Sequence, residues 1–208
     1  LAVEDRELDA EREVARGWFA RENDRREQLV GLERRKAQML AGTRRESEQI
    51  TSAALEVGLR ARKLSSLLDA LYGRSDPGLA GLPILDFRGL LDWPVAGRVT
   101  VEFGPRVDPR YGTRVPHNGL DFETVPGSEV RAVYPGKVLF AAPFEGLGQM
   151  VVVQHAGRVF TLYAGLSELR VRKDDVLPLH SILGRAGSSL YFEIRVDKNP
   201  ENPRAWLR

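Results

Sequence analysis

Apolar residues recur every seven positions along the first third of the chain. One position of the repeat holds an aliphatic residue, and a companion position three residues further on is also apolar. The repeat is formed by Leu1, Leu8, Ala15, Leu29, Ile50, Val57, Leu64 and Leu71, with Trp18, Leu32, Met39, Ala53 and Leu67 as companions. Such a seven-residue repeat predicts a coiled-coil helix. Four charged residues interrupt the predicted seam, which is therefore imperfect: Glu22, Arg25, Lys36 and Glu46.

The composition of residues 1–72 agrees with a helix. This segment has no proline, only four glycines, and 14 basic against 14 acidic residues. Strong helix formers with balanced charges are typical of a solvated coiled-coil face. We therefore interpret the charges as a solvent-exposed surface, in preference to a nucleic-acid or membrane contact.

The region around Gly42 leaves one helix or two helices open. Gly42 suits a helix C-terminus, and Thr43 followed by Glu46 fits a capping box that begins a new helix. The seven-residue register nevertheless continues across this point without a phase shift, which indicates one helix. We favour two helices.

The pattern changes to short strands after residue 82. All 12 prolines lie at or after Pro77, and a Gly- and Pro-rich stretch at residues 73–82 begins a linker that we extend to residue 90. Strands joined by tight turns indicate antiparallel hairpins. The predicted fold is α+β: a helical coiled-coil segment (1–72), a linker (73–90) and an antiparallel all-β domain (91–208). The predicted strands are Arg98–Phe103, Glu129–Tyr134, Lys137–Ala141, Met150–Gln154, Val159–Tyr163 and Leu190–Val196.

Charge and cysteine usage exclude several functions. With 31 basic and 29 acidic residues, the formal net charge is +2, so nucleic acid is not expected as a partner. The absence of cysteine excludes disulfides, thiolate metal sites and a cysteine nucleophile. No apolar stretch approaches the length of a membrane span. No signal peptide is visible and the chain begins with Leu1, so we expect a processed or trimmed chain.

The candidate chemistry begins with His117 and Asp121. Their spacing, H-x-x-x-D, can place an imidazole nitrogen and a carboxylate oxygen on one metal ion, although such a pair in a β protein is more often structural. One further motif precedes this pair and three follow it. They are Gly97-Arg98-Val99-Thr100, Val151-Val152-Val153-Gln154-His155, Thr161-Leu162-Tyr163-Ala164-Gly165-Leu166 and Leu190-Tyr191-Phe192-Glu193-Ile194-Arg195. Together, over residues 97–207, they resemble the LytM-type (lysostaphin-like) zinc endopeptidases of bacterial cell walls.

The resemblance implies a site that has lost its catalytic residues. Active members bind zinc through the His and Asp of H-x-x-x-D and the second His of H-x-H, and two further histidines assist the attacking water. In this chain Tyr191 holds the third ligand position, while Ser189 and Gly165 replace the two assisting histidines. The other histidines, His155 and His180, occupy no ligand position of the family. We therefore predict no enzyme activity and no cofactor, with His117 and Asp121 as residual ligand positions.

The upstream coiled coil and the altered motif further resemble the EnvC-like murein hydrolase activators. That resemblance implies a periplasmic, non-catalytic partner of zinc-dependent N-acetylmuramoyl-L-alanine amidases in cell division, with an amidase helix in the former substrate groove. It also implies a membrane division complex as partner of the coiled coil. Peptidoglycan is a further possible partner. The predicted groove residues are His117, Asn118, Asp121, Tyr163, Gly165, Ser189, Tyr191 and Arg195.

The last turns of the helical segment are a candidate autoinhibitory element. Their apolar residues are spaced for one helical face, and only a short linker separates them from the β domain. These residues are Leu64, Leu67, Leu68 and Leu71. The alternative is that they are plain coiled-coil core.

Two other functions remain open at this point. The chain could be a divergent zinc peptidoglycan endopeptidase that completes its site in an unusual way. It could also be a scaffold that binds peptidoglycan or division proteins without activating an enzyme. The sequence does not name the amidase, the upstream regulator or the oligomeric state.

Overall fold

A computed structural model describes residues 2–73, 81–107 and 114–208. It begins with one long helix, α1 (Ala2–Tyr72), and continues with short strands and two short 3-10 helices, Ile84–Phe87 and Pro203–Ala205. The strands are β1 (Gly97–Val101), β2 (Gly104–Val107), β3 (Arg114–His117), β4 (Leu120–Thr124), β5 (Glu129–Arg131), β6 (Gly136–Phe144), β7 (Gly148–His155), β8 (Val159–Leu169), β9 (Val176–Leu177), β10 (Ile182–Val196) and β11 (Asn199–Glu201).

α1 is continuous through Gly42, so the preference for two helices is wrong. The hydroxyl of Thr43 donates a hydrogen bond to the carbonyl oxygen of Met39, at 3.0 Å, and does not cap a new helix. This bond to the preceding turn is available to threonine inside a helix. The helix therefore passes through a site that carries the residue pattern of a cap.

The chain divides into two compact units inside α1, the first ending at Leu59 and the second beginning at Arg60. In the first unit the side chains of Trp18, Leu29, Leu32 and Met39 are each more than half exposed. The coiled coil thus remains a prediction for this segment. Leu1, and the side chains of Leu8, Ala15, Ala53 and Val57, lie outside the described part of the chain.

The second unit is built on an antiparallel sheet. Within the described residues it has nine strands, with β5 and β11 both paired to β10 and the others in the order β1-β4-β10-β8-β7-β6-β9. The predicted antiparallel hairpins are confirmed, because β6 pairs with β7 and β7 with β8. β2 and β3 form a separate two-stranded ribbon.

One face of the sheet covers the main hydrophobic core. Alternate residues of β4 and β10 point into it, including Leu120, Phe122 and Phe192, which are fully buried. Ile84, in the stretch predicted as linker, is also fully buried there. Residues 74–80 of the predicted linker lie outside the described residues.

The last turns of α1 cover the opposite face of the sheet. Leu68 and Leu71 are buried, with 2% and 7% of their surface exposed. Leu64, Leu67 and Tyr72 pack at the margin of the same cluster. The sheet contributes Leu139, Met150, Val152, Phe160, Leu162 and Ala164 to this second core, with Tyr191 at its edge. The apolar face of these turns therefore packs on the β domain.

A buried polar chain joins β6, β7 and β8. His155 is fully buried; its Nδ1 lies 2.7 Å from the carbonyl oxygen of Pro135, and its Nε2 lies 2.8 Å from the hydroxyl of Thr161. Because a carbonyl only accepts, Nδ1 carries the proton and Nε2 accepts from Thr161. Burial lowers the pKa of His155 to about 4, and the structure therefore holds a neutral imidazole at neutral pH.

Candidate functional site

The site is set by the pairing of β4 with β10. In this register Asp121 lies directly opposite Tyr191. Gly119 precedes β4, and a Cβ atom there would lie 2.8 Å from Cε2 of the Tyr191 ring and 2.3 Å from the carbonyl oxygen of Phe192. A larger residue at position 119 would collide with both atoms. Glycine at this position therefore allows the Tyr191 ring to pack against the segment between β3 and β4.

His117 and Asp121 form a close, partly buried pair. His117 Nε2 lies 3.5 Å from Asp121 Oδ2, and the two side chains are 15% and 34% exposed. Burial lowers the pKa of His117, an effect that Asp121 opposes and Arg106 reinforces. Burial also raises the pKa of Asp121, against the influence of His117 and Arg106. Nε2 of His117 is buried without a hydrogen-bond partner among the described residues.

Tyr191, Glu193 and Arg195 form a polar ladder along the same face of β10. The hydroxyl of Tyr191 donates to Glu193 Oε2 at 2.9 Å, and Nε of Arg195 donates to Glu193 Oε1 at 2.6 Å. The Glu193 side chain is fully buried, and that of Arg195 is 14% exposed. Burial, with the Glu193 carboxylate beside it, raises the pKa of Tyr191 well above its usual range. The phenol is therefore protonated and held by Glu193.

The ring of Tyr191 also borders the His117 and Asp121 pair. The ring centroids of Tyr191 and His117 are 5.6 Å apart. Asn118 lies half-buried in the link between β3 and β4, next to His117. The structure thus brings four predicted site residues together: His117, Asn118, Asp121 and Tyr191.

Ser189 and Gly165 meet where the resemblance implies two histidines. Gly165 adopts a positive φ of 86°, and a Cβ atom there would lie 2.7 Å from the carbonyl oxygen of Ser189. The Ser189 side chain is exposed on β10, opposite Glu123. The local backbone therefore leaves no space for a side chain at position 165 unless β10 shifts.

Tyr163 does not join this group. It is fully buried in the main core, on the other side of the sheet, where its hydroxyl accepts a hydrogen bond from the backbone N–H of Val133 at 3.1 Å. Burial raises its pKa to about 12. Tyr163 was expected to line a groove, but the structure places it in the main core.

The last turns of α1 contact the same face as the polar ladder. Tyr72 packs edge-on against Phe160, with ring centroids 4.5 Å apart, and interacts electrostatically with Arg195. Asp69 Oδ1 lies 2.9 Å from Nζ of Lys198. Lys63 forms a further ion pair with Glu145. Apolar contacts and charge pairs from these turns thus converge on the face that carries Tyr191.

Sequence reasoning missed two residues of this site. Glu193 stands two residues from both Tyr191 and Arg195, so strand alternation alone places the three on one face. Its complete burial could not be read from the alternation, because a charged residue in a strand is usually exposed. Arg106, on β2, influences both members of the His117 and Asp121 pair, and no motif pointed to it.

The donor set for a metal ion is small. Among the described residues, no group of three histidine, aspartate or glutamate side chains is placed to hold a metal. His117 and Asp121 offer one imidazole nitrogen and one carboxylate. At the third ligand position that the resemblance implies, Tyr191 offers a protonated phenol that donates its hydrogen bond to Glu193.

Comparisons with known proteins agree with this architecture. Residues 115–203 match the model of Peptidase family M23. The chain is 36% identical over 112 residues to the DD-carboxypeptidase/endopeptidase Mpg of Neisseria meningitidis, covering 51% of this chain and 26% of Mpg. It is 32% identical over 127 residues to the murein hydrolase activator EnvC of Escherichia coli, covering 58% of this chain and 29% of EnvC.

A solved structure agrees as well. A zinc-containing peptidase from Vibrio cholerae is 28% identical, with a TM-score of 0.52, over 56% of this chain and 40% of that one. The chain spans about a quarter of the length of the curated relatives that it matches. None of the helices in the described residues combines the length and hydrophobicity needed to cross a membrane. The family match over residues 115–203 thus falls on the antiparallel sheet and includes the His117 and Asp121 pair, and this part of the chain is similar to the LytM-type domains of Peptidase family M23.

Proposed function

We propose that this chain is a non-catalytic activator of a zinc-dependent N-acetylmuramoyl-L-alanine amidase, and that it acts in peptidoglycan hydrolysis during cell division. Similarity to the murein hydrolase activator EnvC supports this function. The periplasm is then the compartment of action. The upstream coiled coil is the element we assign to an envelope division complex.

The observation that carries the proposal is the hydrogen bond from Tyr191 to Glu193. A catalytic zinc needs three protein ligands and an open position for water. His117 and Asp121 supply two ligands, and a phenol protonated near neutral pH is a poor third one. The buried carboxylate of Glu193 holds the Tyr191 proton. The residues present therefore do not fit a catalytic zinc ion, and no hydrolytic step is assigned to this chain.

The partner surface is the sheet face now covered by the end of α1. It combines aliphatic side chains of β6, β7 and β8 with the Tyr191–Glu193–Arg195 ladder. An apolar strip bordered by charged groups suits an amphipathic helix laid into a groove. The former substrate side, with His117, Asn118 and Asp121, borders this surface through the Tyr191 ring.

Autoinhibition by α1 belongs to the same proposal. Leu64, Leu67, Leu68 and Leu71 occupy the surface that an amidase helix would need. Two ion pairs, Asp69 with Lys198 and Lys63 with Glu145, hold these turns at their two ends. Partner binding therefore requires these turns to leave the sheet, and a signal received by the upstream helix could release them.

The function is tested by release of dye from labelled peptidoglycan sacculi. The full chain, the amidase from the same organism and the mixture are compared, with a variant in which Leu68 is replaced by Asp to free the surface. Release by the mixture, above that of the amidase alone and with none from the chain alone, is the expected result. A mixture that releases no more dye than the amidase alone, even with the Leu68→Asp variant, would reject the activator function.

A peptidoglycan endopeptidase is the second candidate. His117 and Asp121 are retained as a close pair, and the relative Mpg is a DD-carboxypeptidase/endopeptidase. This function predicts dye release by the chain alone, abolished by a chelator. The same assay therefore separates the two candidates.

A further inference from the structure

The last turns of α1 carry charges of opposite sign at the two ends of the surface that they cover. At one end, the ammonium group of Lys63 forms an ion pair with Glu145, in the turn between β6 and β7. At the other end, Asp69 Oδ1 lies 2.9 Å from Nζ of Lys198, in the turn between β10 and β11. All four side chains are more than half exposed. Both ion pairs therefore lie at the rim of the packed surface.

The sheet register places these two turns at opposite ends of the covered strands. The β6–β7 turn lies at the end of the sheet where β7 begins, at Gly148. The β10–β11 turn lies at the end where β7 finishes, because His155 of β7 pairs with Val159, which in turn pairs with Val196 of β10. The last turns of α1 therefore cross the sheet from one end to the other. Their two charged residues are about 9 Å apart along the helix axis.

The β6–β7 turn is built to receive positive charge from the covering helix. The hydrogen bond from Lys63 lowers the pKa of the Glu145 carboxyl, and the charge of Arg60 reinforces this effect. The adjacent Gly146 has a positive φ of 80°, and a Cβ atom there would lie 2.7 Å from Cδ of Arg60. Glycine at this position therefore leaves the space that the long basic side chain of the helix occupies.

The leucines, and not these ion pairs, hold the last turns of α1 on the sheet. Leu68 and Leu71 are buried, and burial of apolar surface is the dominant favourable contribution to packing. An exposed ion pair contributes little to stability, because water and salt screen both charges. Charged groups at the rim of a contact surface instead discriminate between partners. Glu145 and Lys198 are therefore placed to select which helix occupies the strip.

We propose that the last turns of α1 imitate the amidase helix, which binds the same strip with a basic residue beside Glu145 and an acidic residue beside Lys198. This inference rests on the proposed function and adds the charge pattern of the partner. Two helices that compete for one surface meet the same charges on it. A helix without this pattern would leave both rim residues beside uncharged or like-charged groups. Between its charged ends, the partner helix carries apolar residues at the spacing of Leu64, Leu67, Leu68 and Leu71.

Charge reversal on either side of the two ion pairs tests the imitation. The helix-side variant Lys63→Glu/Asp69→Lys breaks both pairs and leaves the charges of the sheet in place. The sheet-side variant Glu145→Lys/Lys198→Glu breaks the same pairs but reverses the charges that the amidase meets. Calorimetry measures the affinity of each full chain for the amidase from the same organism. The helix-side variant should bind about fivefold tighter than the wild-type chain, and the sheet-side variant at least about tenfold weaker than the helix-side variant.

A quadruple variant with all four reversals supplies the matched control. It forms both ion pairs again with their signs exchanged, so its urea unfolding should match that of the wild-type chain. Its amidase binding should nevertheless fall about tenfold below the wild-type affinity. Equal affinity of the two double variants, with wild-type affinity of the quadruple variant, would overturn the imitation while leaving the activator function intact. Absence of amidase binding by every chain, Leu68→Asp included, would reject the proposed function and this inference together.

Discussion

The phenolic hydroxyl of Tyr191 donates a hydrogen bond to the buried carboxylate of Glu193, at 2.9 Å. The tyrosine stands directly opposite Asp121 in the sheet, at the third ligand position that the family resemblance implies. The hydrogen bond to Glu193 occupies the hydroxyl of Tyr191 at this position. The consequences can be measured on the metal site, on the buried ladder, on the docked helix and on the acid stability of the sheet.

The wild-type chain should not bind zinc stoichiometrically, and one substitution should restore zinc binding. Tyr191→His puts an imidazole opposite Asp121 and completes a set of two histidines and one aspartate. After dialysis against zinc and removal of excess metal, elemental analysis should find stoichiometric zinc in Tyr191→His. The control Tyr191→Phe breaks the bond to Glu193 without adding a ligand and should bind none. Stoichiometric zinc in the wild-type chain would contradict the account.

The buried ion pair of the ladder should respond asymmetrically to mutation. Glu193→Gln leaves the guanidinium of Arg195 largely buried without its carboxylate, so the free energy of unfolding should fall by about 3 kcal/mol. The double variant Glu193→Gln/Arg195→Gln removes both charges and should recover part of this loss. Urea unfolding measures both values. A double variant less stable than Glu193→Gln would show that the pair is not coupled in this way.

The packing of the last turns of α1 on the sheet should depend on Leu68. Leu68→Ala removes a side chain that is 2% exposed, and the free energy of unfolding should fall by about 3 kcal/mol. Leu55→Ala is the matched control, because Leu55 lies on the same helix and is 65% exposed. Its effect should stay within about 0.5 kcal/mol. Equal effects of the two substitutions would mean that the turns around Leu68 are not packed on the sheet.

Acid should destabilise the sheet through His155. In the unfolded chain this imidazole takes up a proton near its ordinary pKa of 6.5, whereas in the fold it does so only near 4. Its contribution to stability is therefore complete above pH 6.5 and is lost as the pH falls toward 4. The loss approaches about 3 kcal/mol, at about 1.4 kcal/mol for each unit of difference in pKa.

The measurement is the free energy of urea unfolding between pH 4 and 7 for three chains. The wild-type chain should lose stability toward acid, and His155→Gln should lose much of that slope. His180→Gln replaces a histidine that is about half exposed, and it should keep the wild-type slope. A His155→Gln chain with the full wild-type slope would assign the acid sensitivity to other groups.

The sequence predicted the β6–β7–β8 hairpins well, because turn residues separate short β-rich runs. It did not indicate β3 and β4, although His117 and Asp121 lie on them, because Pro116, Asn118 and Gly119 are turn signals that interrupt the β-rich pattern. The prediction of a helix break at Thr43 was wrong because the hydroxyl of threonine can either cap a new helix or donate a hydrogen bond to the preceding turn of a continuous one.

The site was predicted less completely than the fold. The motifs identified His117, Asp121 and Tyr191, which the sheet brings together. They placed Tyr163 wrongly, because a strand exposes alternate residues to opposite faces and the face depends on partners that only the fold reveals. Glu193 was missed because its burial depends on the sheet face that the end of α1 covers, and that helix is distant in the sequence.

The central claim is that the end of α1 covers the surface where an amidase binds. Its most direct test is the affinity of the full chain for the amidase from the same organism, measured by calorimetry. The wild-type chain is compared with Leu68→Asp, which expels the helix, and with Leu55→Asp, which places the same charge at an exposed site. We expect about tenfold tighter binding for Leu68→Asp and no change for Leu55→Asp. Equal affinity of the wild-type chain and Leu68→Asp, or no binding by any of the three, would contradict it.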